Sequence, residues 1–181
     1  MLGMVFTELL DMLEARFSHE LVEQVLRAAE LPHGGAYTAV GYYPHAELQR
    51  ILVALSAQTG LAEDALVRAF GEFLLKRFHQ RYPQLFAGGG GLYDFLAGID
   101  GYIHVEVRKL YPKAQLPRFE LLERSARHVC LRYRSPRRMV ALAEGLIRGA
   151  AVHFAEPQRI SHRAADPAEP DTVLIDVRRI D

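Results

Sequence analysis

The chain has 181 residues, half of them hydrophobic, and its 22 basic residues balance its 22 acidic ones. This length suits one globular domain, and the neutral balance gives no global field that favours nucleic acid or an anionic membrane. The one cysteine, Cys130, excludes an intrachain disulfide and a Cys-rich zinc cluster, which is typical of a reducing compartment. We therefore expect a cytoplasmic protein. No apolar run approaches the roughly 20 residues of a membrane span, so we also expect it to be soluble.

The first eighty residues show helical periodicity. Apolar residues at helical spacing predict two short helices before Pro32, with Ser18 as the N-cap of the second. A third helix is predicted to end at Thr59-Gly60, and a longer fourth to end before Pro83. The four glycines at 88–91 lack the Lys-Ser/Thr of a phosphate loop, so a flexible connector is the preferred interpretation.

The segment from Asp100 to Pro112 allows two interpretations. Alternating β-branched and polar residues favour a strand. Asp100 as an N-cap and Pro112 as a terminator instead favour a helix, with His104, Val107 and Tyr111 on one face. A lone histidine is most often a surface or hydrogen-bonded residue, so its role stays open at this point.

Beyond residue 115 apolar residues recur at every second position. Alternation predicts strands at 128–133 and 173–178, with weaker candidates at 117–123 and 158–163. A helix over 139–147 interrupts them. The predicted fold class is α+β: an N-terminal helical lobe, then a C-terminal lobe with a small, mostly antiparallel four-stranded sheet plus helices.

Tyr133, Ser135 and Arg137 stand at alternate positions just before that helix, and on an extended segment they project from one face. Arg137 can form two charge-assisted hydrogen bonds to a carboxylate, while the two hydroxyls donate to its remaining lone pairs. Such a trio suits the acid groups of a bound cofactor. The alternative is a helix start, with Ser135 as N-cap and Pro136 as first helical residue.

These residues resemble a known family. Asp-x-x-x-His-x-x-Val around His104, a proline about a dozen residues later, and Tyr-x-Ser-x-Arg opening a helix are similar to H-NOX (haem-nitric oxide/oxygen binding) domains of the bacterial stand-alone type. That family is related to the haem domain of soluble guanylate cyclase. The resemblance implies a helix around His104 and one domain over 1–181. Its distal lobe would be 1–62 and its proximal lobe 63–181, with haem b between them.

By position, the resemblance assigns His104 as the proximal iron ligand and Pro117 as the residue that presses on the porphyrin. Tyr133, Ser135 and Arg137 would hold the haem propionates. The residues expected to line the distal pocket are all apolar: Val5, Leu9, Leu74, Phe78, Leu142 and Leu146.

The apolar distal pocket sets an expectation about gas binding. Oxygen-binding members of the family have a distal tyrosine at the position of Leu142. Bound O2 needs a hydrogen-bond donor, whereas NO does not, so we expect NO and CO to bind and O2 to form no stable complex. If Tyr42 or Tyr43 lay in the pocket, its hydroxyl could donate a hydrogen bond to O2, and this expectation would change.

The implied function is sensing and not catalysis. In the family, NO binding weakens the iron–histidine bond and the lobes shift. No kinase or cyclase segment is apparent, so we expect the signal to pass to a separate histidine kinase or cyclic-di-GMP enzyme. His162 matches part of a zinc site of some relatives, but without its cysteines no zinc is expected. The alternative is a haem-free module that binds a small hydrophobe or another protein.

Overall fold

Helices occupy the first half of the chain, as the apolar periodicity predicts. In this region the structure, a computed structural model that describes residues 1–180, contains α1 (Gly3–Arg16), α2 (His19–Ala28), α3 (His45–Thr59) and α4 (Glu63–Arg81). Ser18 caps α2, as predicted, because its hydroxyl accepts a hydrogen bond from the Leu21 N–H at 3.3 Å. Gly60 ends α3 at a φ of 71°, a left-handed conformation that glycine adopts without strain.

The middle of the chain is more helical than the sequence indicates. A 3₁₀ turn (Pro83–Phe86) precedes the glycines, and α5 (Leu92–Ala97), which was not predicted, follows them. One π-helical turn (Ile99–Ile103) then leads into α6 (His104–Leu110). The strand interpretation of this segment is therefore wrong and the helical one is confirmed, because tertiary packing outweighs the β-propensity of the isoleucine and valines.

The C-terminal half forms the predicted antiparallel sheet. Its strands are β1 (Arg118–Arg124), β2 (His128–Arg134), β3 (Gln158–Ala164) and β4 (Thr172–Arg179), in the order β1-β2-β4-β3. Every neighbouring pair is antiparallel. The helix α7 (Val140–His153) connects β2 to β3 and packs on one face of the sheet. The α+β prediction is confirmed.

Two apolar clusters form the core, and α4 contributes to both. Phe6, Phe70 and Leu74 belong to the first cluster, which joins α1 to α4, while Leu75 belongs to the second, with α5, α7 and the sheet. The backbones of α4 and α7 approach closely: a Cβ on Gly71 would lie 2.6 Å from the Leu142 carbonyl oxygen. Thus α4 is a rigid element shared by the two halves. No helix within residues 1–180 has the length and apolar character needed to cross a membrane.

Candidate functional site

A mostly apolar cavity of about 250 Å³ lies where the two halves meet. Its apolar wall, as we name it, is formed by side chains of α1, α4 and α7. Five residues expected in the distal pocket are on this wall: Val5, Leu74, Phe78, Leu142 and Leu146.

The expectation for Leu9 is not met. This side chain is fully buried in the first apolar cluster and is not among the residues that line the cavity. The cavity reaches only Met1 to Val5 at the start of the chain, and Leu9 lies one helical turn further along α1, inside the helical core.

The polar wall of the cavity consists of α6 and the segment from 115 to 137, and His104 is the buried histidine on this wall. His104 is only 9% exposed, and its Nδ1 lies 2.7 Å from Oδ1 of Asp100. The π-helical turn places this carboxylate four residues before the ring, where it accepts the Nδ1 proton. The other ring nitrogen, Nε2, is then the one with a free lone pair.

The surroundings of His104 favour its neutral form. Burial, the larger effect, lowers the pKa of His104, while the hydrogen bond to Asp100 acts in the opposite direction. A neutral imidazole with one nitrogen held by a carboxylate is the form in which histidine binds metals. His104, Val107 and Tyr111 all line the cavity, as the helical interpretation of this segment predicts.

Pro117 and Phe119 line the same cavity as His104, on the polar wall. The ring centroid of Phe119 is 6.0 Å from that of His104 and 5.1 Å from that of Tyr133. Sequence reasoning did not single out Phe119. The available signal was its position two residues after Pro117 on an extended segment, which places both on one face.

The structure brings Tyr133 and Arg137 together on the cavity and places Ser135 directly behind them. Tyr133 and Ser135 are 4% and 2% exposed. Burial raises the pKa of Tyr133, so its hydroxyl stays a proton donor, although Ser135 and Arg137 act in the opposite direction. The Arg137 guanidinium donates to the Gln115 carbonyl oxygen at 2.7 Å and to its Oε1 at 3.1 Å.

The alternative role of Ser135 as helix N-cap is not what the structure shows. The helix α7 begins five residues later, at Val140, and Ser135 Oγ accepts a 3.3 Å hydrogen bond from the Arg137 N–H within a turn. Arg138 has a φ of 52°, which ends this turn before the helix. The motif therefore joins a strand end to a turn, and the helix does not open at Ser135.

Sequence reasoning missed Tyr82 on the cavity and the contact that it makes with Tyr111. The hydroxyls of Tyr82 and Tyr111 lie 2.9 Å apart and join the end of α4 to the end of α6. Burial, helped by Tyr111, raises the pKa of Tyr82 to about 12. Each tyrosine directly follows a helix and precedes a proline, which is the signal the sequence offers for this contact.

The tyrosines considered as alternative donors lie elsewhere. Neither Tyr42 nor Tyr43 is among the cavity-lining residues. Tyr42 is 43% exposed, and the Tyr43 hydroxyl accepts a 2.9 Å hydrogen bond from the Thr38 N–H. His162 is also remote from the cavity; its Nδ1 lies 2.7 Å from Glu144 Oε1, and no group of three or more potential metal ligands occurs within residues 1–180.

The donor set fits a flat hydrophobic metal complex that carries acid groups. The apolar wall accepts its hydrophobic surface, the His104 Nε2 can bind its metal, and hydroxyl and guanidinium donors lie on the same cavity. Haem has these properties. The class of protein that this fold and site define is therefore a haem-binding α+β domain.

The family follows from comparison with known proteins. The chain matches the family model described as Haem-NO-binding (HNOB) over residues 2–162. It belongs to this family, the H-NOX domains, which are haem-based gas sensor domains and not enzymes.

Similar proteins have been solved with Fe(II) in defined ligation states. The H-NOX protein from K. algicida, in an Fe(II) unliganded structure, is 32% identical, with a TM-score of 0.92 over 100% of this chain and 97% of that one. An H-NOX protein from S. oneidensis in the Fe(II)NO state is 29% identical, with a TM-score of 0.90 over the full length of both chains.

A longer relative matches over most of this chain. Soluble guanylate cyclase 89Db of Drosophila melanogaster is 27% identical over 139 residues, which are 76% of this chain and 20% of that protein. The chain thus spans about a fifth of the length of this curated relative.

Proposed function

We propose that this chain is a sensor of nitric oxide that holds haem b in its cavity and passes the signal to a separate protein. The observation that carries the proposal is the buried, neutral imidazole of His104, with Nδ1 fixed by Asp100 and Nε2 available on an apolar cavity. When bound, haem supplies a ferrous iron that takes NO and CO as ligands.

Asp100 orients the ligand histidine and tunes its strength. Its carboxylate accepts the Nδ1 proton at 2.7 Å, which fixes the tautomer and makes Nε2 a stronger electron donor. His104 is the first residue of α6 and follows the π-helical turn that carries Asp100. A force on the imidazole is therefore transmitted directly to α6.

Tyr133, Ser135 and Arg137 hold the acid groups of the cofactor in this proposal. Arg137 already binds a carbonyl and an amide oxygen of Gln115, both neutral acceptors. A carboxylate is the stronger partner, because charge-assisted hydrogen bonds are roughly twice as strong as neutral ones. The turn that Ser135 closes fixes the direction in which Arg137 leaves the backbone.

The apolar wall selects the gas. Val5, Leu74 and Leu142 offer no hydrogen-bond donor, and the hydroxyls of Tyr82 and Tyr111 are engaged with each other and, from Tyr82, with the Met4 Sδ. A bound O2 would gain no stabilising hydrogen bond there, whereas NO and CO do not require one. The S. oneidensis relative has been solved in NO and CO states, which supports assigning these two gases to this chain.

The signal is proposed to leave through movement of the lobes, taken as 1–62 and 63–181, in the cytoplasm. The helix α4 packs in both apolar clusters and bonds to α6 through Tyr82 and Tyr111, so it connects the ligand histidine to the N-terminal helices. We propose a histidine kinase or a cyclic-di-GMP enzyme as the receiver.

Reconstitution with haem tests the proposal. The reduced protein is expected to show a Soret band that His104→Gly abolishes and that added imidazole restores, because free imidazole can occupy the vacated ligand position. His33→Gly, which changes an exposed histidine away from the cavity, serves as the matched control and should leave the band unchanged. Protein that stays colourless when grown with haem precursors would instead support a haem-free module that binds a small hydrophobe or another protein.

A further inference from the structure

The outer face of the sheet is rich in arginine. Along each strand, alternate residues point inward to the second apolar cluster, as Leu131, Tyr133 and Ile175 do. The intervening residues point outward, away from α7 and the cavity. The arginines of this outer face, which we name the arginine face, are Arg118, Arg132, Arg134, Arg159, Arg163 and Arg178.

The register of the strands places like charges directly opposite each other twice on this face. Arg118 pairs across the strands with Arg134, and Arg159 pairs with Arg178. Like charges at directly opposite positions destabilise a sheet. Two such pairs on one face of a chain with no net charge therefore cost stability, which points to a use for the charge.

Three of these arginines have no internal partner. Arg132 forms an ion pair with Glu120 at 2.9 Å, and Arg163 with Asp176 at 3.3 Å. Within residues 1–180, by contrast, no hydrogen bond or ion pair engages the side chains of Arg118, Arg134 and Arg159, all of which are exposed. They lie on β1, β2 and β3 and so spread free guanidinium groups across the width of the sheet.

We propose that the arginine face docks an acidic segment of a partner protein. Guanidinium groups bind carboxylates through two parallel hydrogen bonds, and three such groups are free here. Glu120, which is exposed, lies among them and would repel a continuous phosphate backbone, whereas a protein surface can place its own cation opposite this carboxylate. The face contains no residue that lines the cavity, so the proposal stands whether or not the chain senses a gas.

Binding of a defined acidic peptide tests this surface. The probe is a short fluorescein-labelled peptide of alternating glutamate and glycine, followed by fluorescence anisotropy at low ionic strength. Arg134→Gln/Arg159→Gln is expected to weaken binding by roughly twofold to thirtyfold, since exposed charge pairs contribute about 0.2 to 1 kcal/mol each. The matched control, Arg16→Gln/Arg148→Gln, removes the same charge from exposed helix positions and should change binding less than twofold.

A second readout separates docking from a structural role. Because it removes one member of each like-charge pair, Arg134→Gln/Arg159→Gln should unfold at the same temperature as the parent or a higher one. Failure of the peptide to bind, equal weakening by both double variants, or single-stranded DNA of matched charge binding as tightly as the peptide would each overturn the proposal.

Discussion

The polar and apolar walls of the cavity differ in what they offer a ligand. The polar wall presents His104, Tyr133 and Arg137, each fixed by burial or hydrogen bonds, whereas the apolar wall presents aliphatic and aromatic carbon from Val5 to Leu146. The difference shows how the two walls of one cavity can have separate roles. In the proposed function, directed donors hold the cofactor in one place, and the lack of donors on the residues of the apolar wall determines which gas it retains.

The largest effect is expected when a hydrogen-bond donor is added to the apolar wall, because the two walls then no longer differ in this respect. With Leu142→Tyr, a hydroxyl enters the cavity from the first turn of α7. We expect O2 to dissociate about tenfold to a hundredfold more slowly, because a hydrogen bond to a partly charged oxygen contributes roughly 1.5–3 kcal/mol. Stopped-flow measurement of O2 dissociation checks this. Leu142→Phe, which adds a ring without a hydroxyl, should not slow dissociation.

The second-largest effect is expected when the carboxylate that accepts the His104 Nδ1 proton is removed. Asp100→Ala leaves Nδ1 of His104 without its acceptor, and loss of such a partner typically costs about tenfold to a hundredfold in metal affinity. Resonance Raman spectra of the ferrous protein should show the iron–histidine stretch at lower frequency. An unchanged frequency would mean that Asp100 does not act on the metal ligand. Glu106→Ala, on the same helix, is the matched control because its carboxylate contacts Lys109 instead.

Loss of the guanidinium should have a smaller effect on the same wall. Arg137→Gln is expected to lower haem affinity by roughly tenfold, the value of one charge-assisted hydrogen bond. Transfer of haem to apomyoglobin measures the change. Arg138→Gln provides the comparison, because Arg138 pairs with Asp171 at 2.7 Å and does not line the cavity. Equal haem loss from both variants would show that Arg137 has no special role.

The smallest effect is expected for the hydrogen bond that joins the end of α4 to the end of α6. Tyr82→Phe removes the 2.9 Å hydrogen bond to Tyr111 between α4 and α6. The free energy of unfolding should fall by about 1 kcal/mol, the net contribution of one such bond. Gas binding should stay unchanged if neither hydroxyl donates a hydrogen bond to a bound gas. A slower or faster O2 dissociation in this variant would instead identify Tyr82 as a donor on the cavity.

Much of the fold could be predicted because its signals are local. The strands over 128–133 and 173–178 alternate strictly, and the capping oxygen of Ser18 needs only the next turn of chain. The helix at His104 has no such signal, because β-branched residues there favour a strand until packing onto the cavity is known. The short α5 escapes detection for a different reason, because six residues carry too little periodicity.

The residues of the site also differ in how far the sequence alone predicts them. Residues in one chain segment, such as Tyr133 to Arg137, could be proposed from spacing and chemistry together. Leu9 and Val5 share a face of α1, and only the three-dimensional extent of the cavity separates the buried Leu9 from the lining Val5. The Tyr82–Tyr111 bond joins positions 29 residues apart, so no local pattern contains it.

The absorption spectrum of the reduced, haem-loaded protein, recorded once under NO and once in air, tests the division of tasks between the two walls most directly. We predict a ferrous–nitrosyl spectrum under NO and no lasting oxygen-bound spectrum in air. A Soret band that does not respond to NO, or an oxygen-bound form that persists in air, would contradict it.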